Sequence, residues 1–362
     1  ALAHKQDRRC YPVSKAFIKI EPTPVDKEKC RIVFGAPLHL QFRVRKLFAA
    51  AIKYICEHPD FFECSVGVCP YGDDWKQMHT RLKRNARRCI ALDYKMYDGT
   101  TSGQVIQAAS AVLISISRSF GFSEDQLAEM RGLAGEIINP VVCANGDVFQ
   151  FNDGTVSGHN LTSVVNSIVN SLNLRMVYYS VYKHGCIGWF FKKTYSFRDV
   201  VTAYFYGDDL IATVSSIASK MNNYSVAEIL TNFGRRITTY DKKPIRRRYD
   251  KLSDVEYLKR RFVYHRETKQ VVGVLREDSI FKRLVCVHKP TSPNTMYTLL
   301  ADNIDSACTE WFFYGKKHYN MRRKQLANIV NAHDDPLIRS SCDRALRLTY
   351  NDRLKAWESL YL

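Results

Sequence analysis

Paired cysteines, a long apolar run and a surplus of acidic residues are all missing from this chain of 362 residues. Its eleven cysteines are an odd number, and no two stand as Cys-x-x-Cys, which argues against a disulfide framework and a zinc ribbon and fits a reducing compartment. Cys64, Cys69, His58 and His79 lie near one another in sequence, yet such spacing more often reflects buried thiols than a zinc site. No apolar stretch reaches the length of a membrane span, and the first residues, Ala1 to Arg9, are polar and basic rather than a signal peptide. Proline and glycine are few, 11 and 17, and dispersed. With no repeat and no low-complexity linker, subdomains woven together are expected rather than beads on a string.

What is present is a large apolar reserve and a basic balance. Hydrophobic residues make up 46% of the chain, enough to bury a sizeable core divided into two or three units. Lysine and arginine outnumber aspartate and glutamate 54 to 36, so the net charge of +18 draws polyanions, and that binding weakens with salt. Nucleic acid is the natural partner. A membrane surface or an acidic protein could use the same charge, and a single basic run such as Arg81 to Arg88 reads first as a solvated face.

Local patterns place the elements. Val105, Ile106, Ala109, Val112, Leu113 and Ile116 recur at helical spacing between Ser102 and Phe120, predicting a buried helix. Two β-rich runs between Val141 and Phe151 flank Asn145-Gly146, a strong signal for a tight hairpin. Helical stretches dominate from about Asn294 onward. Strands and helices alternate irregularly before that, favouring α+β over a doubly wound sheet.

Three constellations carry chemistry. Cys89 to Tyr94 reads as a short apolar strand ending in Asp93, with Asp98 five residues later; taken alone, this pair fits a loop or helix cap at least as well. Gly154 leads through Ser157-Gly158 into a helix with Leu161, Val164, Val165, Ile168, Val169 and Leu172 on one core-facing stripe. Thr162, Asn166 and Asn170 line another stripe, suited to recognising a sugar or base, or to packing against a second helix. Finally, Val200–Tyr206 and Leu210–Val214 meet at Gly207-Asp208-Asp209. Two adjacent carboxylates at a turn repel and imply cations, and oxygen ligands without histidine or cysteine select magnesium or manganese. Tyr71-Gly72-Asp73-Asp74 repeats the tetrapeptide of this turn but runs into a basic, helix-compatible stretch, so Asp73 and Asp74 are expected to cap a helix.

Taken jointly, Asp93 with Asp98, then Gly154 to Ser167, then Tyr206 to Asp209 resemble palm motifs A, B and C of viral RNA-dependent RNA polymerases of the picornavirus-like, positive-strand kind. Asp241-Lys242 resembles motif D, and Tyr257-Leu258-Lys259-Arg260 is similar to motif E. Lys19, Lys27, Lys29 and Arg31 resemble motif F. The likeness spans roughly residues 17 to 262. It implies a right-hand fold with fingers, palm (an antiparallel sheet flanked by helices) and helical thumb, the fingers incomplete at the N-terminus. The expected parts are fingers over 1–50, palm over 51–138, a fingers insertion over 139–155, palm again over 156–264 and thumb over 265–362.

The resemblance also implies roles. Asp93 and Asp208 would hold two magnesium ions, with Asp209 supporting and manganese able to substitute. Lys242 would act as general acid, its neighbour Lys243 remaining an alternative. Lys19, Lys29 and Arg31 would bind triphosphate. Asp98, Ser157, Gly158, Thr162 and Asn166 would read the nucleotide, and Tyr257, Leu258, Lys259 and Arg260 would contact the primer. Asp98 stands where reverse transcriptases carry a bulky aromatic, so ribonucleotides are favoured. The implied partners are RNA template and primer, nucleoside triphosphates, a protein primer and other replication proteins, at membrane-associated complexes in host cytoplasm, with no transmembrane insertion. The competing readings are a reverse transcriptase and a catalytically inactive basic RNA-binding module.

Overall fold

The computed structural model describes residues 2–6, 8–21, 31–183, 186, 187, 194–286 and 292–361. Strands follow the β-branched and aromatic runs: β1 (Val13–Ile18), β2 (Ile32–Gly35), β3 (Cys89–Lys95), β4 (Val141–Ala144), β5 (Asp147–Gln150), β6 (Val201–Tyr206), β7 (Asp209–Val214), β8 (Arg236–Thr239), β9 (Arg260–His265) and β10 (Gln270–Leu275). The longer helices are α1 (Leu38–Glu57), α2 (Asp73–Leu82), α3 (Gly103–Ser119), α4 (Glu124–Ile138), α5 (Thr162–Val181) and α6 (Asn223–Asn232), then α7 (Glu277–Val285), α8 (Pro293–Phe312), α9 (Lys316–Asn331), α10 (Pro336–Arg347) and α11 (Tyr350–Tyr361).

The chain divides into two compact units, 1–68 with 82–255, and 69–81 with 256–362. The first holds two four-stranded sheets. One has the order β2-β1-β4-β5 and includes the expected hairpin, whose turn places Asn145 and Gly146 at φ 52 and 94 as a two-residue type I′ loop requires. The other is antiparallel with order β8-β3-β7-β6, and α5 and α6 pack on it. Its core includes Phe48, Ile90, Leu113, Val169 and Phe205, each fully buried and each contributing about 1.5–3 kcal/mol on leaving water.

Two sequence expectations change. The strand carrying Asp93 does not end there but continues to Lys95, because β8 extends the ladder past it. The helix after the Gly154 segment is not one-faced: Val164 through Ser171 are all buried, polar residues included. It is a central helix, and its small polar side chains replace water as partners for neighbouring backbone.

The helix predicted from Ser102 forms, with Ser102 capping the backbone N–H of Gln104. In the second unit, Asp73 and Asp74 open α2 as expected, and the β9–β10 hairpin precedes the helical remainder, packed around Trp311, Phe312, Tyr319 and Trp357.

Candidate active site

The tightest turn in the antiparallel sheet is the tip of the β6–β7 hairpin. Tyr206 pairs with Asp209, leaving Gly207 and Asp208 as a two-residue loop. Gly207 sits at φ +61, and an added Cβ there would touch nothing within 4 Å. The left-handed backbone rather than crowding is therefore what favours glycine here. The loop is held from below by α5: the backbone N–H of Gly207 donates to Ser167 Oγ at 2.9 Å, and Asn170 Nδ2 donates to the carbonyls of Gly207 and Asp208 at 3.2 and 3.1 Å.

Strand β3 delivers the next carboxylate. Leu92 pairs with Leu210, so Asp93 falls at the following register position, across from Asp209. Tyr94 turns its hydroxyl to Asn170 in α5, and strand alternation sends the Asp93 side chain to the opposite face. Lys242, at φ +63, brings its Nζ to 3.8 Å from Asp93 Oδ2. Lys243 turns instead to Asp241, 2.7 Å away. The structure thus separates two lysines that adjacency in sequence leaves equivalent.

Asp98 follows in a short helix, Tyr97–Thr100. Its Oδ1 accepts from Thr155 Oγ1 at 3.1 Å and from Asn166 Nδ2 at 3.5 Å. Gly154 passes so close that a Cβ would lie 2.8 Å from the Asp98 carbonyl, and one on Gly158 would overlap the Phe34 carbonyl at 1.4 Å. The network expected around Asp98 is therefore built in part. Asn166 joins it, but Thr162 donates to the His159 carbonyl at 2.9 Å, and Thr155, which sequence reasoning missed, stands where Thr162 or Ser157 was expected. Asn166 Oδ1 is buried without a hydrogen-bond partner.

These groups act on one another. Burial raises the pKa of Asp208 above the ordinary carboxylate value, and the charges of Asp98 and Asp93 raise it further, while Arg31 opposes them. Arg31 lies opposite Lys19, whose backbone N–H donates to the Arg31 carbonyl at 2.8 Å; both side chains approach Glu21, at 3.7 and 3.4 Å. Lys27 and Lys29 lie outside the described residues.

Comparison with known proteins now bears on this arrangement. The family described as "Viral RNA-dependent RNA polymerase" matches residues 7–330. The chain belongs to that family. It is similar to the replicase polyprotein of Cricket paralysis virus, 24% identical over 323 residues that cover 86% of this chain and 18% of that one. It is also similar to the RNA1 polyprotein of Cherry rasp leaf virus, 26% identical over 305 residues, 81% of this chain and 13% of that one. The chain thus spans under a fifth of either polyprotein. In fold it resembles the Sicinivirus 3Dpol RNA dependent RNA polymerase, with TM-score 0.75 and 18% identity, covering 99% of this chain and 70% of that one. The α+β, right-hand polymerase fold follows.

Viral RNA-dependent RNA polymerases generally use divalent metal ions, and the donor set at the β6–β7 turn suits them. It offers carboxylate oxygens alone, and Asp208, at the exposed tip of the turn, has a raised pKa whose ionised form an adjacent cation would favour. Among the described residues, the donors that all lie within 4.8 Å of one another belong elsewhere, to His4, Cys10 and Glu136. That cluster is an anchor rather than an ion site. Glu136 already accepts from His4, Arg9 and the backbone of Cys10 and Tyr11, and the guanidinium of Arg43 stands 3.1 Å from His4 Nδ1. The zinc set considered at His58, Cys64, Cys69 and His79 does not appear there.

The segment that resembles motif E forms a tight turn. Tyr257 and Arg260 close a two-residue hairpin whose tip is Leu258-Lys259, both at positive φ, 55 and 60. Tyr257 is buried, and Arg260 grips Glu310 at 2.6 and 3.0 Å while donating to Tyr71 and the Gly273 carbonyl. Both side chains are committed to their own unit, so of the four residues expected at the primer only Leu258 and Lys259 stand at the tip.

Proposed function

We propose that this chain is the catalytic part of an enzyme that copies an RNA template into RNA. The observation that carries this reading is the convergence of Asp93 and Asp98 from one stretch of chain with Asp208 from another into one electrostatically coupled group beside Asn166 and Lys242.

The reaction joins the primer's 3′ oxygen to the α-phosphorus of a nucleoside triphosphate and releases pyrophosphate. Two divalent ions held by Asp93 and Asp208, with Asp209 supporting, would lower the pKa of the attacking hydroxyl and neutralise phosphate charge. Arg31 and Lys19 supply cations for the triphosphate. Lys242, its ammonium beside Asp93, gives a proton to the departing pyrophosphate oxygen. Asp98, oriented by Thr155 and Asn166, accepts a hydrogen bond from a ribose 2′-hydroxyl, a group that a deoxyribonucleotide lacks.

In this reading the two sheets of the first unit provide fingers and palm, and the helices after residue 264 the thumb. The likeness to viral polyproteins supports release from a polyprotein and replication of a positive-strand genome; work with other replication proteins in host cytoplasm at membranes is part of the proposal, on the resemblance alone. Among the described residues no helix is long and apolar enough to cross a membrane.

The test is extension of a primed RNA template with magnesium, offering ribonucleotides or deoxyribonucleotides to wild type and to an Asp208→Ala, Asp209→Ala double variant. Ribonucleotide extension by wild type and none by the variant is the expected result. Extension that survives in the variant overturns the metal assignment, and preference for deoxyribonucleotides overturns the substrate.

A further inference from the structure

The β6–β7 loop has a connection that the polymerase motifs do not account for. Asn170 lies wholly inside the protein, at 0% exposure, and every polar atom of its side chain is engaged. Its Nδ2 donates to the carbonyls of Gly207 and Asp208, and its Oδ1 accepts from Tyr94 Oη at 2.9 Å. The two carbonyls need a donor, so the nitrogen must face the loop; the oxygen then faces the one remaining hydroxyl. Tyr94 itself is the residue after Asp93 on β3, only 5% exposed. A continuous buried path therefore runs from the strand that carries Asp93, through one amide on α5, to the backbone of Asp208.

Hairpin geometry explains why such a path is useful. The last ladder pair of β6 and β7 is Tyr206 with Asp209, so the sheet makes no bond to the carbonyls of Gly207 or Asp208. Without Asn170 these would be buried acceptors facing the helix, and the loop would be free to rotate its peptide planes. Such rotation would redirect the Asp208 carboxylate. Ser167 fixes the Gly207 N–H from the same helix, so three backbone groups of a two-residue loop are held by side chains one turn apart.

We infer that Asn170 and Tyr94 are positioning residues that set the aim of the Asp208 carboxylate relative to Asp93, tying the two principal acidic groups through one hydrogen-bonded amide. The inference rests on the proposed reading of those aspartates as the divalent-ion site. Asn170 touches neither nucleotide nor ion. It acts through Asp208, and Tyr94 acts through Asn170 by fixing which way the amide faces.

The experiment measures manganese binding directly, by electron paramagnetic resonance of free Mn2+ titrated into the full chain, alongside magnesium-dependent primer extension. Four variants are compared: Tyr94→Phe, which removes one oxygen and keeps the buried ring; Asn170→Ala; Asp208→Asn; and Val177→Ala, a cavity elsewhere in α5 that lowers stability without touching the loop. Tyr94→Phe is expected to weaken Mn2+ binding and lower kcat by about tenfold, the scale seen when an outer partner of a metal ligand is removed, with KM for nucleotide nearly unchanged. Val177→Ala, at a matched loss of melting temperature, should move neither.

The outcomes separate the two levels of the argument. If Asp208→Asn leaves Mn2+ affinity unaltered, the aspartates are not the ion site and the proposed function loses its mechanism. If Asp208→Asn weakens binding while Tyr94→Phe matches wild type in Mn2+ affinity and kcat, the positioning role is wrong and the ion site stands. Equal losses in Tyr94→Phe and Val177→Ala would reduce Tyr94 to a packing residue. Should Asn170→Ala fail to fold, Tyr94→Phe alone decides.

Discussion

Thr155 donates its hydroxyl to Oδ1 of Asp98 at 3.1 Å, and its backbone N–H closes onto the carbonyl of the same residue at 2.7 Å. Asp98 is thereby fixed at both its main chain and its carboxylate. Thr155→Val keeps the shape and removes the donor. It should lower the preference for ribonucleotides over deoxyribonucleotides by about tenfold, on the scale of one hydrogen bond to a charged group. Asp98→Ala should lower it further, and neither should weaken primer binding. Competitive single-nucleotide incorporation measures the ratio; an unchanged ratio in both variants removes Asp98 from sugar recognition.

Lys242 and Lys243 should behave differently despite being neighbours. With its ammonium 3.8 Å from Asp93, Lys242→Leu is expected to reduce kcat by roughly 100-fold, within the range for a lost general acid. Lys243→Leu breaks an exposed pair with Asp241 and should cost less than about twofold. Pre-steady-state incorporation rates distinguish them, and the reverse order of effects would move the acid to Lys243.

Asp208 should be a stability liability. Its folded pKa is raised by burial first and then by Asp98 and Asp93, so the native state holds its proton more tightly than the unfolded chain. Stability from this group is present below the unfolded carboxylate pKa and is lost as pH rises through the raised folded value. Because solvent screens this exposed side chain, Asp208→Asn should melt only slightly higher than wild type at pH 7 without divalent ions, with the gain shrinking towards zero as pH falls below the ordinary carboxylate range. Calorimetry across pH checks this; a variant less stable at pH 7 would contradict it.

The Leu258-Lys259 tip holds two non-glycine residues in the left-handed region, each strained by about 1–2 kcal/mol. Replacing the pair with Asn-Gly relieves that strain, and after the added freedom of the unfolded glycine a gain of roughly 1 kcal/mol should remain. Chemical denaturation reads the stability and filter binding reads the affinity for primed RNA. A more stable protein that binds primer less well would assign the strained side chains to RNA; a destabilised one would show that the turn is not strained.

Much of this was legible in the letters, where local chemistry and long-range packing agree. Gly207 with its flanking β-branched residues, Asn145-Gly146, and the periodicity after Ser102 each carry their own geometry, and the structure follows them. Thr155 was missed because its partner is 57 positions away and, although Gly154 beside it marks the entry to the site, a threonine in a loop carries no sign of which carboxylate it meets. The apolar periodicity of α5 marks one core-facing stripe, and the burial of its other sides was not legible because the partners of its Asn and Ser side chains, backbone carbonyls and carboxylates of other elements, lie far away in sequence. Nor could the letters show the partner of Arg260. Its resemblance to motif E implies a role at the primer, and the ion pair with Glu310, 50 residues on and inside the same unit, leaves no local mark in the sequence.

The amide of Asn170 also sets a schedule for folding. It joins Tyr94, 76 residues upstream, to a loop 37 and 38 residues downstream, so no local segment can form the clamp on its own. Contacts of such separation must wait for chain closure, and they come slowly compared with helices and hairpins. On the ribosome, α5 would emerge with its central amide unsatisfied on one side until β6 and β7 followed. A nascent chain stopped short of residue 209 would hold Asp93 and Asp98 but no machinery to use them, which makes the appearance of activity a late and cooperative event in the life of the molecule.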